Sequence, residues 1–267
     1  MKHRPRKRFG QNFLVDEWAI AAIVDAISPQ QGDNLVEIGP GLGALTRPLL
    51  ARVNELRAIE IDSDLASRLQ HDFGGRLDLY VTDVLAFDFS MLGNGLRVVG
   101  NLPYNISSPL LFRLIEFIAC IRDIHVMLQR EVVARMVAAP GDSDYGRLTV
   151  MLQYRFEMEK LLDISAAAFD PAPQVDSAVV RLLPRSAPAL RARDERAFSR
   201  VVAAAFSQRR KTLRNSLANL VSDEDFEKVR IAPTARAQEL SVAQFVALAD
   251  GVAGAQSAPD AAHADLR

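Results

Sequence analysis

Two short stretches of this chain bring together residues that could do chemistry. The first is Glu37-Ile38-Gly39-Pro40-Gly41-Leu42-Gly43, whose glycines follow the apolar run 34–38. Glycine takes positive φ without strain and lets a backbone approach a ligand closely. A helix starting near Ala44 would offer free N–H groups at the same place. The second stretch is Asn101-Leu102-Pro103-Tyr104, which closes the apolar run 97–100. An exocyclic adenine amine is a weak nucleophile because its lone pair is delocalised into the ring. The Asn101 carboxamide oxygen and the Leu102 carbonyl can accept its two N–H bonds and aim the nitrogen at an electrophile. Pro103 stiffens the turn, and Tyr104 offers a face for a base to stack on. Elsewhere in a chain the same four residues would be an ordinary turn with a core tyrosine. A position at the end of a strand beside the glycine turn is what gives them chemistry.

The elements around these stretches alternate. Continuous apolar runs predict strands at 34–38, 56–61, 77–81, 97–100 and 124–128. Helical periodicity falls near 44–53, 63–72, 107–119 and 129–138, and Asp16 is placed to cap a helix reaching Ile27. Strands without polar alternation fit a parallel α/β sheet covered on both faces. Another helix is expected over 145–153. Residues 156–164 and 177–183 follow with no helix between them, as an antiparallel pair at the sheet edge. Pro184 to Pro188 reads as a boundary. Beyond it no strand is expected, and helices near 194–206, 209–220, 223–229 and 241–250 would make a small all-α C-terminal domain. The expected organisation is a basic arm over 1–15, an α/β domain over 16–185, a helical domain over 189–250 and a disordered tail over 251–267.

The chain has 267 residues, a net charge of −1 and one cysteine, Cys120. No apolar run approaches a membrane span, and Phe13-Leu14-Val15 is too short for a signal segment. One cysteine excludes an internal disulfide and a cysteine metal cluster, and Cys120 is expected to be buried and inert. The reducing cytoplasm is the expected home.

The glycine spacing alone leaves the ligand open. Gly39-x-Gly41-x-x-Ala44 also fits a dinucleotide fingerprint, and Glu60, closing the run 56–59, stands where a ribose-binding acid belongs. A carboxylate there suits NAD or the ribose of S-adenosylmethionine. The Glu-x-Gly-x-Gly-x-Gly order and Asn101 favour the second.

Taken together, Glu-x-Gly-x-Gly-x-Gly, Glu60, Asp83 and Asn101-Leu102-Pro103-Tyr104 resemble the ribosomal RNA adenine dimethyltransferases. The likeness continues in Phe9-Gly10-Gln11-Asn12-Phe13-Leu14, Gln129-Arg130-Glu131, Tyr145-Gly146-Arg147-Leu148 and Phe169-Asp170-Pro171-Ala172-Pro173-Gln174-Val175-Asp176-Ser177, covering most of residues 8–183. Gln174 departs from the family's usual lysine. The resemblance implies a Rossmann-like methyltransferase sheet with S-adenosylmethionine as cofactor. Asn12 and Leu14 would close over it, Gly39 would approach its methionine part through the Gly39–Gly41 turn, Glu60 would take its ribose and Asp83 would meet its adenine. Asn101 would span cofactor and target amine, while Tyr104 and Phe169 would sandwich a flipped adenine. Phe169 otherwise reads as core packing, the usual fate of phenylalanine. The implied substrate is a pair of adjacent adenines near the end of small-subunit ribosomal RNA, each dimethylated on an assembling subunit by a monomeric enzyme. No metal is expected, because methyl transfer from a sulfonium needs no Lewis acid.

Two basic clusters stand out in a chain of near-zero charge. Arg6, Lys7 and Arg8 belong to an arm with no acid before Asp16. Arg209, Arg210, Lys211 and Arg214 fall in a predicted helix whose residues 210 and 214 would share a face. Both clusters are expected to meet RNA phosphates rather than merely to solvate the surface. Three rivals remain at this level: a large-subunit methyltransferase of the resistance type, a non-catalytic RNA-binding assembly factor on the same fold, and a nicotinamide oxidoreductase.

Overall fold

The computed structural model describes Arg6 and residues 10–186, 190–208 and 210–256. The described residues fall into two compact units, Met1–Ala134 with Phe156–Pro184, and Arg135–Arg155 with Arg185–Arg267. Lys7, Arg8, Arg209 and residues 257–267 lie outside the described residues.

The first unit opens with β1 (Phe13–Leu14) and α1 (Glu17–Ile27), and continues through β2 (Asn34–Ile38), α2 (Thr46–Leu50), β3 (Leu56–Glu60), α3 (Ser63–Phe73), β4 (Leu77–Val81), β5 (Leu96–Asn101), α4 (Ser107–Glu116) and β6 (Ile121–Gln129). After α5 (Arg130–Val137) and α6 (Arg147–Gln153), the chain returns to it as β7 (Phe156–Ile164), β8 (Phe169–Asp170) and β9 (Ser177–Pro184). Among the described residues, a seven-stranded sheet has the order β4-β3-β2-β5-β6-β9-β7. The first five of these strands pair in parallel, and β9 runs antiparallel to both neighbours. Leu35, Val36 and Ile38 of β2 and Val98 and Val99 of β5 are buried, as strands covered on both faces must be. The edge strand β7 carries Glu157, Glu159, Lys160 and Asp163, charges that keep an open edge from pairing with another chain.

Chain order reverses between β2 and β5. A crevice therefore opens at their carboxyl ends, where the chain leaves in opposite directions. Gly100 lets the two strands meet there. A Cβ on it would stand 2.4 Å from the Ile38 carbonyl oxygen, so no side chain fits without separating β5 from β2.

The opposite end of the sheet is held by a buried cation. Arg97 donates both to Asp123, at 3.0 and 3.1 Å, and to Asp33, and its guanidinium also caps α1 through the Ile27 carbonyl at 2.6 Å. A cation at the C-terminal carbonyls of a helix is favourable. Burial works to raise the Asp33 carboxyl, but the Gln30 amide, Arg97 and Arg122 outweigh it and hold it below its ordinary value.

The second unit adds α7 (Glu195–Ala205), α8 (Leu213–Ser216), α9 (Asp223–Lys228) and α10 (Val242–Gln256). Here the structure departs from the expected boundaries. Residues 135–155 belong with these helices rather than with the sheet. The reason is aromatic burial. Tyr154 stacks on Phe198 at 4.2 Å between centroids, and the buried Tyr145 donates its hydroxyl to the Leu240 carbonyl at 2.8 Å. The helix expected over 209–220 contracts to α8. The Leu213 and Arg214 amides donate to the Ala235 and Pro233 carbonyls, at 2.8 and 2.9 Å, and Thr212 bridges to Arg236. Those partners replace the i−4 carbonyls a longer helix would need. Helix α10 continues to Gln256, so residues 251–256 are helical and not part of a tail. Cys120 follows α4 in a short 3₁₀ turn and is half-buried, not buried. No helix among the described residues is long and apolar enough to cross a membrane.

Replacing Arg97 with alanine would strip the buried Asp123 of its guanidinium and leave Asp33 only the exposed Arg122. Urea unfolding at pH 7 should show a loss of about 3–5 kcal/mol. In the parent protein Asp33 has its lowered value only when folded. Its stabilisation is therefore complete above the unfolded value near about 4 and lost as pH falls through the folded one. Stability should decline steeply below about pH 4, and a flat profile there would remove this role.

Candidate active site

A cavity of about 320 Å³ opens at the carboxyl ends of β2, β3 and β5, within the range of about 300–1,000 Å³ usual for small-molecule sites. Asn12, Leu14, Gly39, Gly41, Glu60, Asp83 and Asn101 all line it, as do Leu102, Pro103 and Tyr104. The parallel register sets Glu37 beside Val99, so Gly39 and Asn101, each two residues on, face each other across the crevice. A Cβ on Gly39 would lie 3.9 Å from the Asn101 carbonyl oxygen. Gly39 and Gly41 have φ of +65° and +59°, conformations that L side chains rarely adopt. Gly41 also admits the arm, since a Cβ there would come within 3.3 Å of the Phe13 ring.

Glu60 ends β3 and is buried. One of its oxygens accepts the Gly41 N–H at 3.1 Å and the other accepts the Asp62 N–H at 2.9 Å. A carboxylate has about four acceptor sites, so these amides leave capacity for a hydroxyl. Burial raises the Glu60 pKa against those two amide bonds. Glu37 lies deeper and was not anticipated as a wall of the cavity, although it heads the glycine motif. Burial pushes its carboxyl up to about 7, with the Thr46 hydroxyl bond at 2.7 Å opposing and Glu60 adding to the rise. A cavity walled by Glu37, Glu60 and Asp83 favours a cationic occupant. Spare acceptor capacity, a glycine turn open to close approach and buried acids together suit the ribose and sulfonium of S-adenosylmethionine.

Asn101 is oriented by the arm. Its Nδ2 donates to the Asn12 carbonyl at 3.2 Å. A carbonyl only accepts, so this bond decides which end of the amide faces away and leaves Oδ1 as an acceptor. Tyr104 is half-buried, with its hydroxyl 2.8 Å from Ser177 Oγ. Burial raises its pKa, so the phenol is neutral at ordinary pH.

Other expected site residues stand elsewhere. Phe169 is 4% exposed and packs in the core with Leu14, its partner across the β1–β8 ladder, and it does not line the cavity. In this ligand-free geometry core packing holds the Phe169 ring, so Tyr104 alone of the expected pair faces the cavity. Arg6 does not point to a free phosphate site, since it pairs with Asp62 and Asp64. Arg214 is held by Asp223 at 3.0 Å, and it does not share a helix with Arg210, which precedes α8. Arg210 and Lys211 are exposed. Gln174 is exposed in the loop before β9. Gln11, Asp62 and Gly100 were missed. An Asp-Ser-Asp cap signature after Glu60 was the one available signal for Asp62.

Because Glu37 is raised only in the fold, the ligand-free protein takes up a proton between about pH 4.5 and 7. Its stability should fall as pH rises through that window. Glu37→Gln keeps an acceptor for Thr46 without the charge. It should be more stable than the parent at pH 8, by on the order of 1–3 kcal/mol, and little different at pH 5. Melting curves at the two pH values check this, and an unchanged pH dependence would mean that Glu37 stays ionised.

The sequence matches the ribosomal RNA adenine dimethylase family over residues 2–253. It is 59% identical over 247 residues to the ribosomal RNA small subunit methyltransferase A of Thiobacillus denitrificans, spanning 92% of this chain and 97% of that protein. A crystal structure of a dimethyladenosine transferase from Plasmodium falciparum superposes with a TM-score of 0.77 at 26% identity, covering 88% of this chain and 95% of that one. The 23S rRNA methyltransferase ErmE superposes with a TM-score of 0.68 at 26% identity, covering 91% and 100%.

Proposed function

This chain belongs to the ribosomal RNA adenine dimethylase family, and from that premise we propose its substrate and the work of its residues. It transfers methyl groups from S-adenosylmethionine to the exocyclic amines of two adjacent adenosines near the 3′ end of small-subunit (16S) ribosomal RNA. The products are dimethyladenosines, formed on an assembling small subunit in the cytoplasm, with the enzyme acting as a monomer. The observation that carries this reading is the orientation of Asn101, whose Oδ1 is left as an acceptor where β5 meets the glycine turn. The small-subunit assignment over a large-subunit one rests on 59% identity to a small-subunit enzyme against 26% to ErmE.

Bound S-adenosylmethionine supplies an electrophilic methyl on a sulfonium. The remaining work belongs to the chain. Glu60 takes the ribose with its remaining acceptor capacity, Gly39 and Gly41 let the backbone close on the methionine part, and Asp83 meets the adenine. Asn12 and Leu14 cover the site and exclude water. Asn101 Oδ1 and the Leu102 carbonyl accept the two N–H bonds of the target amine, which aims its lone pair and stabilises the charge developing on nitrogen. Tyr104 supplies one stacking face. Phe169 braces Leu14 from beneath rather than stacking on the base. The proton leaves after attack, so no strong base is needed. RNA affinity rests on the basic residues left unpaired by carboxylates, with Arg210 and Lys211 foremost among the described ones.

Transfer of radiolabelled methyl to purified small and large subunits, followed by mapping of the modified base, tests the substrate. Label in small-subunit adenine is expected. Label confined to the large subunit would overturn the assignment, and no label in either would favour a non-catalytic factor. Asn101→Ala should lower the single-turnover rate at saturating cofactor by on the order of a hundredfold, with RNA affinity nearly unchanged. A near-parental rate would sink the role of Asn101. Arg210→Ala with Lys211→Ala should make the slope of log affinity against log salt shallower by about 0.7–0.9 per lost contact. An unchanged slope would leave those residues as a solvated turn.

A further inference from the structure

The arm is fastened at two places, and only one of them is the catalytic asparagine. At the other, Arg6 donates to Asp62 Oδ1 at 2.8 Å and pairs with Asp64 as well. The Arg6 main-chain N–H donates to Gln11 Oε1 at 2.8 Å, and Gln11 Nε2 donates to Asp62 Oδ2 at 3.1 Å. Both oxygens of Asp62 are thus engaged by the arm. Asp62 is fully buried and caps α3 through the Asp64 N–H at 3.1 Å, while its own N–H donates to Glu60. The segment from Gly10 to Leu14 carries Gln11 and Asn12, one point of each fastening, and forms a wall of the cavity.

We propose that Arg6 and Gln11 are positioning residues that latch this wall shut over the bound methyl donor, using Asp62 as the keeper. The inference rests on the cofactor reading given above. It departs from the usual reading of a basic N-terminal residue as a phosphate contact. A guanidinium shared by two carboxylates has little charge left for a phosphate, and its geometry ties it to the acid next in line to Glu60. The latch is built to open. The Arg6 side chain is 32% exposed and that of Asp64 is 63% exposed, so water screens the pair and competes for it. A wall that covers a ligand must open for exchange, and the exposed Arg6–Asp64 contact is the part that yields first, ahead of the bond to the buried Asp62.

The test uses the full chain in four forms: parent, Arg6→Ala, Asp64→Asn and the double variant. Calorimetric titration with S-adenosylmethionine in the absence of RNA should show Arg6→Ala binding about tenfold more weakly, the effect expected from one charge-assisted hydrogen bond. Asp64→Asn should weaken binding less, and the double variant should be no weaker than Arg6→Ala alone, because the two residues share one interaction. With methyl transfer as readout, KM for the donor should rise while kcat at saturation holds. Hydrogen exchange at the amides of residues 11–14 should accelerate in cofactor-free Arg6→Ala. A merely structural Arg6 would slow turnover or lower the melting temperature without this split. If the parent itself fails to bind S-adenosylmethionine, the cofactor reading falls. If the parent binds and Arg6→Ala binds equally tightly, the latch falls and the cofactor reading stands. A shallower salt dependence of RNA binding in Arg6→Ala, with donor affinity unchanged, would also overturn it and return Arg6 to a phosphate contact.

Discussion

The site depends on one buried carboxylate with two amides to satisfy it. Glu60 is taken out of water at the end of β3, and an unsatisfied carboxylate there would be costly. Its bonds to Gly41 and Asp62 meet that demand. They also set two pieces of backbone in place at once. The glycine turn is drawn towards β3, and Asp62, the second residue after the strand, is set in place as the cap of α3. The acid that looks like a ligand group is therefore also the brace of its own pocket. Substitution of Glu60 would disturb the turn as well as the ribose site, so Asn101 is a cleaner probe of chemistry than Glu60.

The second constraint is steric. β2 and β5 approach closely only because position 100 has no side chain. That approach brings Asn101 to the glycine turn, and parallel register does the rest. Rigid strand ends supply three walls of the cavity, and the arm supplies the fourth. The wall made by the arm is held by side-chain bonds from Asn101, Gln11 and Arg6 and by the short β1–β8 ladder. Precision comes from the sheet and access from the arm, which is a sensible division for a site that must align two reactants and then release both.

The sheet was legible because burial writes itself into composition. The run 34–38 is buried from Leu35 to Ile38, and the structure gives it the expected bounds; 77–81 also keeps its bounds, although it is an edge strand with Asp78 and Val81 exposed. Asn101 was legible because its position at a strand end carries meaning that its residue type does not. What could not be read depends on partners distant in sequence. The helix over 209–220 had good periodicity, yet the carbonyls at 233 and 235 took its amides. Residues 135–155 look like one more helix of the sheet until Tyr154 meets Phe198. Arg6 sits in a run of cations, and nothing local says that Asp62 and Asp64 will neutralise it. Phe169 is equally at home as core or as platform by residue type, and in this geometry it packs with Leu14.

The acids of the cavity bear on turnover as well as on binding. Burial raises the cost of ionising both Glu37 and Glu60, with the Glu60 charge adding to the rise at Glu37 and the Asp62 charge to that at Glu60. A cation placed between them lowers that cost, so the empty pocket stores electrostatic strain that a positively charged donor relieves. Methyl transfer removes the positive charge from sulfur. The carboxylates that would favour the donor would then face a neutral thioether. Under the proposed reaction, the attraction that fills the site is switched off by the chemistry itself. The same negative cavity repels phosphate. Under the same proposal the RNA backbone would stay outside the cavity, and only a base extended from the strand would enter to meet Asn101.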